Sequence, residues 1–230
     1  MKIKLFMFWL CFVALFVALG YWQLCRYQFK KDLLNDSKER LISAPVALKS
    51  VTKNPLEFQH VIVAGRYLND EIILVQDQFF HHRLGFEVLT VFQIPNESEY
   101  LLVDRGWVPV LENGQLPVIS PVKNEQRLIG HLRTFHEYQF ILGKNILNPT
   151  VKPLVIQKVD VPELSHVLNK PLYPFILRLD ANMPNGFARE WVITTVLPER
   201  HLGYAVQWFL MAIVLLIASI YFCFVIPRRF

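Results

Sequence analysis

The sequence predicts a membrane protein in which two transmembrane α-helices flank a mainly antiparallel-β domain, sheet or barrel-like, with one or two short helices. Three observations predict it. Leu5–Cys25 runs 21 residues and Leu202–Pro227 runs 26 residues without a charge, and a membrane span needs about 20 apolar residues at about 1.5 Å each. The 230-residue chain is 53% hydrophobic and 19% charged, with a mean hydropathy of +0.30, against about 45–50% and about 25% in an ordinary soluble domain. Between the two apolar runs lie short segments rich in Val, Ile, Phe and Tyr, separated by turn residues. A cytosolic soluble protein, a disordered chain and a polytopic transporter are thereby excluded.

The elements follow in order. Lys2 and Lys4 precede the first span (5–25), and Arg228 and Arg229 follow the second (202–226). These four account for most of the net charge of +5 and leave residues 5–227 with a net charge of +1. The basicity therefore marks residues 1–4 and 227–230 as cytoplasmic tails under the positive-inside rule, not a nucleic-acid surface. The first span is too long for a signal peptide and has no small-x-small exit site, so it reads as an uncut anchor. No Arg- and Ser-rich transit segment precedes it, which favours a bacterial inner (plasma) membrane. Two spans place both termini on one side and the central domain in the periplasm. The long intervening loop does not set orientation by its own charges, so Arg26, Lys30 and Lys31 do not overturn this.

Residues 26–43 continue the first helix as a polar extension until Ser43-Ala44-Pro45 stops it. Residues 44–200 form the β-domain. Strands are expected at Phe58–Tyr67, Glu71–Gln76, Gly85–Ile94, Tyr100–Val108, Gln126–Thr134, Leu154–Val159, Phe175–Asp180 and Trp191–Val196. Turns are expected at Leu68-Asn69-Asp70, Pro95-Asn96, Glu112-Asn113-Gly114, Asn148-Pro149 and Pro184-Asn185-Gly186. One helix is expected over Val161–Leu168, capped by Asp160 with Pro162 in its first turn. No repeat, low-complexity segment or Gly-rich phosphate loop is present.

Enzyme chemistry finds no support. Gly-x-Ser-x-Gly, His-Glu-x-x-His and a paired-carboxylate motif are all missing. His81-His82 reads as a solvated loop, because adjacent side chains in a strand point to opposite faces. His131 and His136 have no carboxylate or cysteine at ligand spacing, and His60 and His166 read as surface or packing residues. Cys11 and Cys223 fall within the spans and Cys25 at an interface, so residues 26–201 hold no cysteine for a disulfide, a redox motif or copper delivery.

The informative residues stand where the spans leave the membrane. Gly20, Trp22, Gln23 and Arg26 close the first; His201, Tyr204, Gln207 and Trp208 open the second. Trp22 and Arg26 are four apart, as are Tyr204 and Trp208, with His201 one turn earlier. Polar groups at the hydrocarbon edge need partners and are often functional. Two glutamines, a histidine, an arginine and several aromatics would make a wet-ended cleft with apolar walls, suited to a flat apolar ligand with acidic groups. A neutral imidazole is a common proximal iron ligand, and an arginine pairs with a carboxylate such as a propionate. The alternative is an ordinary aromatic belt with a snorkelling Arg26 and an interfacial His201.

Five blocks occur in order: Gly20-Tyr-Trp-Gln-Leu-Cys-Arg26, Gly65-Arg-Tyr67, Gly85-Phe-Glu-Val-Leu-Thr90, Val103-Asp-Arg-Gly-Trp-Val-Pro109 and His201-Leu-Gly-Tyr-Ala-Val-Gln-Trp-Phe209. Together they resemble the Surfeit-locus family of cytochrome c oxidase assembly factors, bacterial branch, from the first helix to the last. The resemblance implies a non-enzymatic role in building the haem–copper oxidase, around haem a insertion into the catalytic subunit. It maps a haem-iron ligand onto His201, and the cleft read from the helix ends places Tyr204, Gln207, Trp208, Trp22, Gln23 and Arg26 around a transient haem a. The family's Arg-Gly-Trp stretch falls on Arg105, Gly106 and Trp107, where a bent edge at Gly106 and Pro109 or a partner contact through Arg105 and Trp107 is expected. Asp104 stands where relatives often have Asn. Implied partners are the oxidase catalytic subunit, the haem a synthase and the lipid bilayer. The alternative is a membrane-anchored scaffold that binds the oxidase subunits or the synthase without binding haem. A periplasmic enzyme or sensor ranks third, since the short tails hold no output domain.

Overall fold

The computed structural model describes residues 2–51, 55–111, 114–134, 151–191 and 197–225. Of the sequence expectations, His136, Glu112-Asn113, Asn148-Pro149, residues 192–196, Arg228 and Arg229 lie outside the described residues. The chain divides into two units, residues 1–36 with 192–230 and residues 37–191.

The first unit contains two helices long and apolar enough to cross a membrane. Helix α1 spans Lys2–Ile42, 41 residues, or about 60 Å at 1.5 Å per residue, about twice a hydrocarbon core. Its polar second half is the expected extension. It stops where expected: Ser43 Oγ donates to the Arg40 carbonyl at 2.7 Å, and Pro45 follows. Helix α3 spans Pro198–Ile220 and closes in a π turn over Tyr221–Val225.

The two helices run antiparallel side by side. Phe6 meets Phe224 at 5.2 Å, and Phe16 meets Trp208 at 5.6 Å between ring centroids. On α3 the buried residues Ala205, Ala212 and Ser219 recur every seven positions, the repeat of a supercoiled seam, and their small size suits close packing in lipid. Gly20 belongs to the same seam. A Cβ there would lie 2.7 Å from the Phe209 ring, so a larger residue would push that ring aside.

The second unit is a seven-stranded sheet. Its strands are β1 (Val46–Ala47), β2 (His60–Phe80), β3 (Arg83–Gln93), β4 (Tyr100–Pro109), β5 (Gln126–Thr134), β6 (Leu154–Ile156) and β7 (Leu172–Leu179), with α2 (Val161–Leu168) between β6 and β7. The order is β1-β2-β3-β4-β7-β5, and β5 returns to β2. The long β2 makes this possible: residues 60–65 pair with β5 and residues 66–80 with β3. The result is a ring of pairings rather than a barrel.

Three differences from expectation emerge, and the first two have physical causes. The sheet is mixed: β1–β2, β2–β6 and β4–β7 are parallel, the last because α2 carries the chain to β7. Leu68-Asn69-Asp70 is no turn but an irregularity inside β2 between Tyr67 and Ile72. There the Asn69 side chain clamps Val122, accepting its N–H at 2.8 Å and donating to its carbonyl at 3.1 Å. Finally, Trp191 is not in a strand, β6 stops at Ile156, and β7 begins at Leu172.

Two apolar clusters lie on opposite faces of the central strands. Val61, Val63, Phe92, Leu101, Val103, Leu132 and Leu177 fill one side. Leu89, Val91, Leu102, Ile156, Leu164, Leu168 and Ile176 fill the other, beneath α2. Burial on both faces explains the apolar runs Leu101–Val103 in β4 and Phe175–Leu177 in β7. Asp160 caps α2, accepting the Glu163 N–H at 3.1 Å, and Asn169 ends it in the left-handed region.

Candidate functional site

On the helix pair, the antiparallel register brings His201 of α3 against Gln23 of α1. Nδ1 of His201 donates to Oε1 of Gln23 at 2.8 Å. An amide oxygen only accepts, so Nδ1 carries a proton, and in the neutral ring the lone pair is on Nε2. A histidine that ligates a metal is commonly fixed in this manner, its other nitrogen donating to an oxygen that sets tautomer and ring orientation. A hydrogen bond of this type between helices in lipid contributes about 0.6–2 kcal/mol. Seven residues on, Trp208 lies beside Phe16, seven residues back from Gln23, and supplies an apolar wall.

The remaining expected residues are placed less centrally. Arg26 is exposed and its guanidinium lies 5.9 Å from the Trp22 ring on the same helix. Tyr204 and Trp22 are about half exposed, and Gln207 is exposed. Gln23 and His201 are half-buried. Phe16 and Phe209 are the additions that spacing along one helix did not indicate; only the register between two helices identifies them.

In the β-unit, the Arg-Gly-Trp stretch forms a corner. Arg105 is 3% exposed. Its Nε donates to the Asn185 carbonyl at 2.8 Å, and its guanidinium lies between the rings of Tyr67 and Phe187, at 5.0 and 4.9 Å. Burial pushes the Tyr67 hydroxyl up to about 12, with Arg105 and Arg189 opposing it. Gly106 has φ +106° and lets residues 187–188 lie against β4. Phe187 N–H donates to the Arg105 carbonyl and Trp107 N–H to the Ala188 carbonyl, at 2.6 and 2.7 Å. The bent edge expected at Gly106 is thus covered by a strap. Trp107 donates its indole N–H to the Gln78 carbonyl at 3.0 Å and stacks on Phe80. Among the described residues, the contacts of Arg105 are internal.

A second polar cluster escaped the sequence reading. Glu87 of β3, Asp104 of β4, Arg178 of β7, His131 of β5 and His60 of β2 form a row across five strands. Asp104 and Arg178 are register partners, as are Arg178 and His131, and His131 and His60. Arg178 faces Asp104 at 3.5 Å and Glu87 at 3.9 Å, with the Trp191 ring 4.6 Å from its guanidinium. Asp180 receives His60 at 2.9 Å and His131 at 3.3 Å, and His60 Nδ1 contacts the Ser43 carbonyl at 2.7 Å. Ser43 and Trp191, near the two chain exits of this unit, are both fastened to the row.

The electrostatics divide the two aspartates. Burial and the neighbouring Glu87 carboxylate hold Asp104 well above the usual carboxylate range, against the pull of Arg178. Burial would also raise Asp180, but its contacts with His131 and His60 outweigh that and lower it. No linear motif announces this row, because its members lie far apart in sequence. Among the described residues, no group of three or more His, Cys, Asp or Glu is arranged to hold a metal ion. His81 and His82 sit in an exposed turn, as expected.

The chain matches the SURF1 family over residues 10–213. A SURF1-like protein of Rickettsia bellii (strain RML369-C) is 30% identical over 208 residues, 85% of this chain and 81% of that protein. A SURF1-like protein of Monosiga brevicollis is 25% identical over 213 residues, 84% of this chain and 77% of that protein. One from Rickettsia conorii (strain ATCC VR-613 / Malish 7) is 27% identical over 228 residues, 94% of this chain and 88% of that protein. With the match running from α1 into α3, the chain belongs to the SURF1 family.

Proposed function

We propose that this chain is a non-enzymatic assembly factor for a haem–copper cytochrome c oxidase and that it holds haem a on the way to the catalytic subunit. Membership of the SURF1 family, a family of oxidase assembly factors, supports the first part. The His201–Gln23 contact carries the second. The donor set fits a haem with one protein ligand: a single imidazole whose Nδ1 is fixed at 2.8 Å by an amide oxygen, which in the neutral ring leaves Nε2 to meet a metal. His201 would hold a haem a bound there through Nε2, and the group would supply an iron able to take a nitrogen donor.

Each residue then has a task. His201 offers Nε2, and Gln23 is a positioning residue that keeps the ring in the required tautomer. Trp208 and Phe16 exclude water from one side. Arg26, with Trp22 beneath its guanidinium, presents a cation to the carboxylates at the edge of the ring. Tyr204 and Gln207 flank the histidine. In this reading α1 and α3 cross a bacterial inner membrane with both termini in the cytoplasm. The β-domain stands in the periplasm, where the oxidase catalytic subunit and the haem a synthase are the partners.

The absorption spectrum of the protein purified from cells that make haem a tests this. A Soret band that co-purifies at a fixed ratio to protein is expected. A chain that never carries haem under those conditions would leave a scaffold that joins oxidase subunits or the synthase without a cofactor.

A further inference from the structure

The proposed function does not use the cluster at the start of β2, and the hydrogen bonds there fix a charge state. His60 meets two groups that only accept: Nδ1 lies 2.7 Å from the Ser43 carbonyl, and Nε2 lies 2.9 Å from the Asp180 carboxylate. A neutral imidazole has one N–H, so making both bonds takes the imidazolium. The second histidine on Asp180 needs one proton only. His131 donates from Nδ1 at 3.3 Å, and its buried Nε2 has no hydrogen-bond partner among the described residues. Burial raises Asp180, but the two imidazole contacts lower it by more, so it is the anion between the rings. The other charged groups of the elements packed here are engaged elsewhere. Arg178 of β7 faces Asp104 and Glu87, and Arg189 donates to the Asp180 carbonyl at 2.9 Å. The Glu57 carboxylate accepts the Thr134 N–H at 2.8 Å, and Arg40 of α1 donates to the Glu57 carbonyl at 3.2 Å. Arg133 lies two residues beyond His131 on β5.

The backbone beside this cluster is strained. Two residues before His60, Phe58 holds φ +62°, a conformation that a bulky residue keeps only where its surroundings impose it. Ser43 follows the last residue of α1, and residues 37–42 of that helix belong to the same unit as the sheet. We propose that His60 is a proton-operated latch that fastens the end of α1 to the sheet. With both ring nitrogens protonated, it bridges Ser43 and Asp180. When one proton passes to water, the remaining N–H stays with the carboxylate, because the bond to the charged acceptor is the stronger. Nδ1 then turns a lone pair toward the Ser43 carbonyl, and that contact opens. Imidazole is the side chain whose charge changes near neutral pH, and the His60 side chain is 13% exposed, so solvent reaches it.

The test uses the full chain in detergent micelles with assigned 15N-histidine rings, and His82 in its exposed turn is the solvated reference. At the pH where half of His82 has become neutral, both ring nitrogens of His60 should still carry protons. A bare nitrogen on His60 at that pH would overturn the proposal. The second reading follows release. A nitroxide on Ala44→Cys, an exposed position beside Ser43, is placed in a chain with Cys11, Cys25 and Cys223 replaced by alanine. As pH rises, its mobility should increase several-fold at the midpoint where the His60 ring loses its second proton. In His60→Gln, whose amide does not titrate, that step should vanish. A label that does not respond when the ring deprotonates would overturn the latch. So would a ring that keeps both protons until the domain unfolds, which would make the contact a fixed tie.

Discussion

Gly106→Ala perturbs the corner built by the Arg-Gly-Trp stretch. Gly106 has φ +106°, and a Cβ there would lie 2.7 Å from the Ala188 carbonyl oxygen and 3.1 Å from the Arg189 Cβ. The backbone conformation alone costs a non-glycine residue about 1–3 kcal/mol. The strap must also retreat from β4, which puts at risk two hydrogen bonds of 2.6 and 2.7 Å, each contributing about 0.5–1.5 kcal/mol. The expected loss is about 2–6 kcal/mol, a large part of a typical stability of about 5–15 kcal/mol. The control is Gly114→Ala, where φ is +70° and nothing lies within 4 Å of the added Cβ, so only conformational strain of about 1–2 kcal/mol applies. Near-UV circular dichroism of the full chain in mild detergent, followed through thermal unfolding, reads both. The reasoning fails if Gly106→Ala unfolds at the same midpoint as Gly114→Ala.

Buried Asp104 and half-buried Asp180 should act on stability in opposite directions of pH. Asp180 is lowered from 3.8, so its contribution is present above that value and is lost as pH falls through the folded-state value; Asp180→Asn should flatten the acid limb of the unfolding midpoint. Asp104 is raised well above 3.8, so its contribution is present below that value and declines as pH rises toward the folded-state value; Asp104→Asn should remove that downward slope, and an unchanged slope would contradict its protonated burial. At the helix pair, Gln23→Leu removes the oxygen that fixes Nδ1 of His201; haem retention, measured by equilibrium dialysis against apomyoglobin, should fall about 10–100-fold, as for other partners behind a ligand. Retention equal to the unsubstituted protein would remove Gln23 from its positioning role.

Local signals made much of the fold legible. The Asp160 cap, Pro162 and the spacing of Val161, Leu164 and Leu168 specify α2 within the chain itself, and the helix runs Val161–Leu168 as expected. The long apolar runs and the Ser43-Ala44-Pro45 stop did the same for α1. What stayed hidden was set by distant partners. Asn69 carries a turn signal, but Val122 takes both ends of its amide, so the chain continues through a bulge and β2 reaches 21 residues. The parallel pairing of β4 with β7 depends on where α2 packs. Within the candidate site, the residue types at the two helix ends were readable, whereas the His201–Gln23 contact bridges 178 positions. The row from Glu87 to His60 is equally non-local: each member looks like an ordinary strand residue until the ring of pairings closes.

The haem content of His201→Ala tests the central claim most directly. His201 is the proposed axial ligand, whereas Arg26 contributes one charge-assisted contact, typically about 1.5–3 kcal/mol and less at an exposed position. Alanine is tolerated within a membrane helix, so insertion should be unaffected. The measurement is the ratio of haem absorbance to protein after purification from cells that make haem a, with Arg26→Ala and His82→Ala alongside. The account predicts no haem with His201→Ala, partial retention with Arg26→Ala and full retention with His82→Ala, whose side chain sits in an exposed turn. Full haem retention by His201→Ala would contradict it.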